Sequence, residues 1–203
     1  MAQKKSCTDA VDLYEDVLKC PGQKRLPGTR AYGWFIRRVY ITKLAEPQKE
    51  AATALKDYLV IKESHTLQAD KKWIRLEFIP DKSSMAPEAQ GEEGSKTMNN
   101  KATVVLPGTE EEQQAVASML LNDDVIVLVP QRNGKVRQFG DDAFTVNVTP
   151  SATTGASVTD ESNTTLEISV ACETMPPFYY GDIVTADGTY SGETCKLKTV
   201  SEV

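Results

Sequence analysis

The chain has 203 residues, of which 40% are hydrophobic and 26% are charged, and its formal net charge is −6. These proportions are ordinary for a globular domain, and no segment reaches the roughly 18 consecutive apolar residues that a membrane-spanning helix needs. The acidic balance argues against binding nucleic acid through its phosphates, because that mode of binding needs a basic surface. No apolar segment of the kind found in signal peptides follows Lys4 and Lys5, so we expect the protein to be made and kept in a cytoplasm.

Residues that enzymes use as nucleophiles, bases and metal ligands are sparse. His65 is the single histidine and stands in a polar stretch, so we interpret it as a surface residue rather than a catalytic base. The four cysteines form no zinc or redox motif, and a bridge between Cys7 and Cys20 stays open. The Gly-rich segment 91–97 lacks the spacing of a phosphate loop. The sequence therefore predicts a non-enzymatic protein with no catalytic residue, no cofactor and no metal.

The chain divides by composition into an N-terminal arm, residues 1–30, and one β domain, residues 31–203. Pro, Gly and scattered charge in the arm are typical of extended chain with turns. The β domain carries the period-two patterns and apolar runs of strands. These patterns predict strands at 33–43, 58–61, 73–79, 103–106, 125–129, 135–139, 144–149 and 165–172.

The strand predicted at 73–79 has the clearest alternation of the set. Ile74, Leu76 and Phe78 fall on one face, and Arg75 and Glu77 fall on the other. We therefore expect the three apolar side chains to be buried and the two charged ones to face solvent or a lumen.

One helix is predicted, at residues 109–121. Thr109 and Glu112 have the spacing of a capping box, and Met119 and Leu120 belong to an apolar stripe that we expect to pack against a sheet. With one helix among many strands, the fold class is mainly β: an antiparallel β-sandwich or barrel with one flanking α-helix.

Residues 80–95 are polar, rich in loop-forming residue types and without apolar periodicity, and they separate two predicted strands. Loops longer than about 12–15 residues are uncommon within compact domains and tend to be functional or disordered. We therefore expect a long exposed loop that acts in assembly rather than in folding.

Several turns and strand patterns occur in an order that resembles the tail tube proteins of bacteriophages, especially those from phages and prophages of Bacteroides-like bacteria. The features that carry the resemblance are Cys20-Pro21-Gly22, Pro27-Gly28, the Gly-rich loop 91–96, the turn 132–135, the segment 137–140, the strand 144–149, the turn 154–156, Asp160 and the alternating strand 165–169. Residues 185–203 have no counterpart in it.

The resemblance implies subunits that join their sheets into six-membered rings, which stack into a tube for DNA ejection. DNA would pass through the lumen without specific binding. The partners it implies are further copies of the chain and other tail proteins, namely the terminator, the tape measure and the baseplate or sheath, in a virion assembled in the bacterial cytoplasm. It implies assembly contacts from the long loop, with the candidate residues Ser83, Ser84, Met85, Pro87, Gly91, Gly94 and Lys96.

Two other classes remain open from the residues alone. One is another phage tail, connector or decoration protein, and the other is a β-sandwich binding module. Both classes share the strand spacing and the lack of catalytic motifs, so ring or tube formation is the property that separates them from a tube subunit.

Overall fold

A computed structural model describes residues 13–19, 21–22 and 25–198, and its regular elements are mainly β-strands. In chain order the strands are β1 (Tyr32–Arg37), β2 (Ile41–Lys43), β3 (Val60–Ile61), β4 (Thr66–Leu67), β5 (Ile74–Glu77), β6 (Ser84–Met85), β7 (Glu88–Gln90), β8 (Thr97–Pro107), β9 (Val125–Pro130), β10 (Val136–Phe139), β11 (Asn147–Thr153), β12 (Asn163–Cys172), β13 (Phe178–Tyr179), β14 (Asp182–Thr185) and β15 (Gly188–Ser191). The helix α1 (Glu111–Leu120) lies between β8 and β9. Cys7 and Cys20 are outside the described residues.

Sheet 1 has six strands in the order β3-β13-β10-β9-β1-β5. Its pairs are antiparallel except for β13 and β3, which run parallel. β9 is buried along its whole length and all its residues are apolar, so the centre of this sheet is covered on both faces. The predicted hairpin at Asn133-Gly134 is confirmed: it joins β9 to β10, and Gly134 takes a φ of 94° in the turn.

Sheet 2 is built on two long strands, β12 and β8, with β11 on the outer side of β12. Both β6 and β7 pair with β8 on its other side. Leu166, Ile168 and Val170 are buried on one face of β12, as the alternation predicts.

The two sheets face each other across an apolar core. Phe35 and Phe139 reach it from sheet 1, and Leu166 and Val104 reach it from sheet 2. The helix α1 contacts β11 and β12 and adds Leu120 to the same core. The fold class is therefore confirmed as mainly β, with antiparallel sheets packed like a sandwich and one flanking helix. In the described part of the chain the sheets do not close into a barrel.

A second core covers the other face of sheet 1. Trp34 and Ile36 of β1 point into it, on the side opposite Phe35, because successive side chains of a strand alternate between faces. The hairpin β14–β15 and the pair β2–β4 close this core from outside. Sheet 1 is thus the middle layer of the molecule.

The prediction for β5 is partly wrong. Phe78 is buried and Leu76 packs against the core between the sheets, but Ile74 is 50% exposed. β5 is the outermost strand of sheet 1 among the described residues, so an apolar side chain on it is less covered than one on an inner strand. On the other face, the Arg75 guanidinium lies 4.6 Å from the centre of the Tyr32 ring.

The prediction that Thr109 caps the start of the helix is wrong. Glu110 occupies the N-cap position and makes no side-chain capping bond, while the Thr109 hydroxyl lies 3.0 Å from the Ser162 hydroxyl. Leu120 is buried as predicted, but Met119 is 71% exposed, since the helix turns it away from the core. Ser162 precedes β12, so Thr109 ties the helix start to sheet 2 instead of capping the helix.

The predicted long loop is also corrected. Residues 80–95 hold a turn of 3-10 helix (Pro80–Lys82) followed by β6 and β7, and both strands run antiparallel to β8. The segment therefore folds back on the following strand as a hairpin. The backbone pairing needs no apolar periodicity, which explains why the polar sequence gave no sign of it.

Candidate assembly site

The outer part of the hairpin between β7 and β8 extends past the rest of sheet 2. β7 pairs with β8 from Glu88 opposite Asn99 to Gln90 opposite Thr97. β12 ends opposite Met98, so no third strand of the described residues lies beside 90–97. All side chains from 88 to 97 are exposed. We call residues 88–97 the assembly hairpin.

The tip of the assembly hairpin has a backbone shape that depends on glycine. Gly91 has a φ of 101° and Gly94 a φ of 87°, values that other residue types rarely adopt. A Cβ at Gly91 would lie 2.9 Å from the Ser95 carbonyl oxygen, whereas a Cβ at Gly94 would meet open space. The Ser95 N–H donates to the Glu92 carbonyl over 3.1 Å, which closes the turn.

Charged side chains stand along the assembly hairpin. Glu92, Glu93 and Lys96 are exposed at its tip. Nearer the sheet, the Lys101 ammonium pairs with Glu88 on the adjacent strand, and this hydrogen bond lowers the pKa of the Glu88 carboxyl. The tip of the hairpin is therefore polar and acidic rather than apolar.

The structure divides the predicted assembly residues into two groups. Gly91, Gly94 and Lys96 lie at the exposed tip, and Ser84 is exposed in β6. Pro87 is half-buried between β6 and β7. These five positions lie at or near the surface, and their part in assembly stays a prediction.

Ser83 and Met85 belong to the folded core instead. Ser83 is 4% exposed; its hydroxyl donates to the Ile79 carbonyl over 2.8 Å and accepts from the Val105 N–H over 3.1 Å. Met85 packs against the core between the sheets. Placing these two residues in an assembly loop is therefore wrong, because they join the start of the hairpin to the sandwich.

Sheet 2 also ends in open strands on both sides. β11 pairs with β12 on one side and with no strand of the described chain on the other. Likewise, β7 pairs only with β8. Pro150, which has no N–H to donate, lies within β11, as is common in edge strands. Open edges expose backbone donors and acceptors that a strand of another chain can pair with.

A cleft of about 660 Å³ opens between three loops. Residues 45–51 form one wall, residues 140–144 the second, and residues 172–174 with Pro177 the third. Asn100 and Gln138 also line it. The sequence indicated no such cleft, because its walls come from segments far apart in the chain.

His65 supports the wall of this cleft, and its predicted surface position is wrong. The ring is 6% exposed and stacks on Tyr179 with 4.6 Å between ring centres. Nδ1 accepts from the Ala45 N–H over 3.0 Å, and Nε2 lies 2.9 Å from Gln138 Oε1. Burial lowers the pKa of His65 to about 4, so the ring is neutral near pH 7. Ala45 and Gln138 both line the cleft, so the ring fixes its wall from behind.

No protein-family model, no curated protein and no solved structure matches this chain. Within residues 13–19, 21–22 and 25–198, no group of three or more His, Cys, Asp or Glu side chains is arranged to hold a metal ion. The same described residues contain no helix long and apolar enough to cross a membrane. The function must therefore be argued from the assembly hairpin, the sheet edges and the cleft.

Proposed function

We propose that the chain is a structural, non-enzymatic subunit of a bacteriophage tail tube, assembling with copies of itself into six-membered rings that stack around a DNA-conducting lumen. The observation that carries the proposal is the assembly hairpin, which extends beyond sheet 2 with its side chains exposed. The resemblance of its turns and strand patterns, in their order, to those of phage tail tube proteins supports the same function. The proposed location is the virion.

The two open edges of sheet 2 favour rings over a simple pair. β11 lies at one side of the sheet, and β7 and β6 lie at the other. Pairing the β11 edge of one copy with the opposite edge of the next is a head-to-tail contact, because the two surfaces differ. Repeated with a rotation that closes after one turn, such a contact forms a ring and continues the sheet from copy to copy, whereas a rotation that does not close gives an open filament.

The assembly hairpin serves, in this proposal, as the contact to a neighbouring copy or ring. Two exposed strands with an acidic, polar tip have little apolar area to bury within their own subunit. The acidic chain suits a conduit through which DNA passes without specific binding. Further tail proteins, such as the terminator or the tape measure, are the proposed partners at the tube ends and in its lumen.

A β-sandwich binding module, or a connector or decoration protein, is the second candidate. The cleft beside His65 favours it, since a concave site of about 660 Å³ is large enough for a ligand or a peptide. A module of this kind needs no ring.

Negative-stain microscopy of the purified protein tests the proposal. We expect rings or tubes from the natural chain, and we expect their loss when residues 90–97 are replaced by an Asn-Gly turn, which joins Ala89 to Met98 and keeps the pairing below them. The matched control replaces the exposed segment 156–159 with Gly-Ser-Gly-Ser. Rings from the shortened hairpin, or a monodisperse monomer of the natural chain at high concentration, would contradict the proposal.

A further inference from the structure

The residues that line the cleft carry a net negative charge, which favours a basic occupant. Five acidic residues and one lysine line it; they are Glu46, Glu50, Asp141, Asp142, Glu173 and Lys49. Lys49 pairs with Glu173 over 3.2 Å, and Arg38 reaches Asp142 from outside the lining. Even with both basic residues counted, the acidic groups are in excess. A cationic chain entering the cleft therefore gains favourable charge contacts.

A buried acceptor in the lining has no partner among the residues that the structure describes. Asn100 is 2% exposed, and its Nδ2 donates to the Thr174 carbonyl over 2.9 Å. Its Oδ1 is buried and accepts no hydrogen bond from any described residue. Buried polar atoms are rarely left without a hydrogen bond, so we expect an occupant of the cleft to donate one to Oδ1. Ammonium, guanidinium and backbone N–H groups are all suitable donors.

The lining also has apolar surface beside the acids. Pro47, Ala51, Phe144 and Pro177 all face the cleft, and Phe144 remains 39% exposed. The best-matched occupant thus combines apolar side chains with positive charge in an extended strand of chain.

Residues 17–27 of the N-terminal arm have these properties, and the acidic residues Glu15 and Asp16 precede them. Val17 and Leu18 are 84% and 75% exposed, and Leu26 is 57% exposed, so the body of the same copy leaves them largely uncovered. Lys19 and Arg25 are exposed between them.

The arm joins the body where Arg132 N–H donates to the Gly28 carbonyl. Residues 13–27, when extended, span up to about 50 Å, which is enough to reach another copy.

We propose that the cleft is the receptor for the N-terminal arm of a second copy of this chain, with Lys19 and Arg25 facing the acidic lining. None of the described arm residues of the same copy, 13–19, 21–22 and 25–30, lines the cleft. This inference rests on the proposed self-assembly and names one contact that would join the copies. The arm's apolar side chains cover Phe144 and the two prolines, and one of its donors satisfies Asn100 Oδ1.

Peptide binding tests the contact directly. A fluorescent peptide of residues 13–27, with Cys20→Ser to prevent disulfides, is titrated onto the full chain and followed by anisotropy. The variant with Glu46→Lys and Glu173→Lys should bind the peptide about five- to thirtyfold more weakly, because two exposed charge pairs become repulsive. The milder pair Glu46→Gln and Glu173→Gln should fall between, and the natural chain should bind less tightly as salt rises.

The matched control carries Asp187→Lys and Glu193→Lys, which change the charge equally at two exposed positions outside the cleft. It should bind the peptide as the natural chain does. Equal weakening in the control, no effect of the cleft variants, or no binding of the peptide would each overturn the inference.

Mixing two variants tests whether the occupant comes from a second copy. Protein with Lys19→Glu and Arg25→Glu has a reversed arm and a natural cleft, and protein with Glu46→Lys and Glu173→Lys has the opposite defect. Light scattering should show that each protein alone has lost self-association and that the mixture regains it. Failure of the mixture to associate would overturn the second-copy assignment.

The proposed ring and this contact can fail separately. Peptide binding measures the contact between arm and cleft alone, whereas microscopy of the shortened hairpin measures ring formation. Peptide binding without rings would leave the contact standing and remove the tube subunit. Rings with no peptide binding would leave the tube subunit standing and remove the contact between arm and cleft.

Discussion

His65 and Gln138, 73 positions apart in the chain, are joined by a buried hydrogen bond of 2.9 Å between Nε2 and Oε1. Because Nδ1 of the ring accepts from the Ala45 N–H, Nε2 carries the proton and is the donor. Gln138 in turn donates to the Gly140 carbonyl over 3.0 Å. The neutral His65 ring therefore joins Ala45, in one wall of the cleft, to Gln138, in the strand β10 that ends beside the cleft.

Stability should fall in mild acid because of this ring. The folded pKa of about 4 lies below the value of about 6.5 for an unfolded histidine, so the unfolded chain takes up the proton first. The histidine contribution is complete above pH 6.5, declines as pH falls from there to 4, and is constant below. We expect a loss of about 2 kcal/mol between about pH 7.5 and pH 5, measured by urea unfolding.

The control for this prediction is His65→Gln, which removes the titrating group. Its unfolding free energy should be lower at neutral pH and should change less over the same range. Equal pH dependence in the two proteins would assign the effect to other groups.

Phe78 and Ile74 lie in or beside the same edge strand and should respond very differently to truncation. Phe78→Ala should cost about 3–5 kcal/mol, because the ring is buried in the core between the sheets. Ile74→Ala should cost less than about 1 kcal/mol, because that side chain is half exposed. Denaturant unfolding measures both, and equal costs would refute the orientation of β5.

Leu120 and Met119 make a similar comparison on α1. Leu120→Ala should destabilise the fold by about 2–5 kcal/mol, since the side chain is 4% exposed in the core. Met119→Ala should change stability by no more than about 0.5 kcal/mol, because the side chain points outward. A large loss at Met119 in thermal unfolding of the monomer would contradict the position of the helix.

Ser83 should matter for folding and not for assembly. Ser83→Ala leaves the buried Val105 N–H without its acceptor and should cost about 1–3 kcal/mol in unfolding experiments. The neighbouring Ser84→Ala should be close to neutral, because Ser84 is exposed. If Ser83→Ala blocked self-association at unchanged stability, its placement in the core would be wrong.

Some of this fold follows from local pattern. The alternation of Leu166, Ile168 and Val170 predicts a strand and its buried face, since side chains of a strand alternate at a fixed period. The apolar run 125–129 predicts a buried strand, and the structure has it at Val125–Pro130 with every residue buried. Asn133-Gly134 predicts the turn that joins this strand to the next, because the turn needs a residue with positive φ.

Other features depend on which segments meet. The polar segment 80–95 forms strands because β8 offers backbone partners, and hydrogen bonds between main chains are indifferent to side-chain pattern. Ile74 is half exposed because β5 is the outermost strand of sheet 1 in the described part of the chain.

The candidate sites divide in the same way. The exposed, glycine-bearing tip of the assembly hairpin is predictable, because Gly91 and Gly94 act through the local backbone. The burial of His65 and the acidic cleft are not predictable, because both are made by loops that become neighbours only after the sheets have packed. The sequence by itself thus determined the strands with a clear apolar pattern, the Asn133-Gly134 turn and the net acidity of this protein. Tertiary structure alone decided the sheet edges, the neutral histidine and the cleft, since each is a relation between segments distant in the chain.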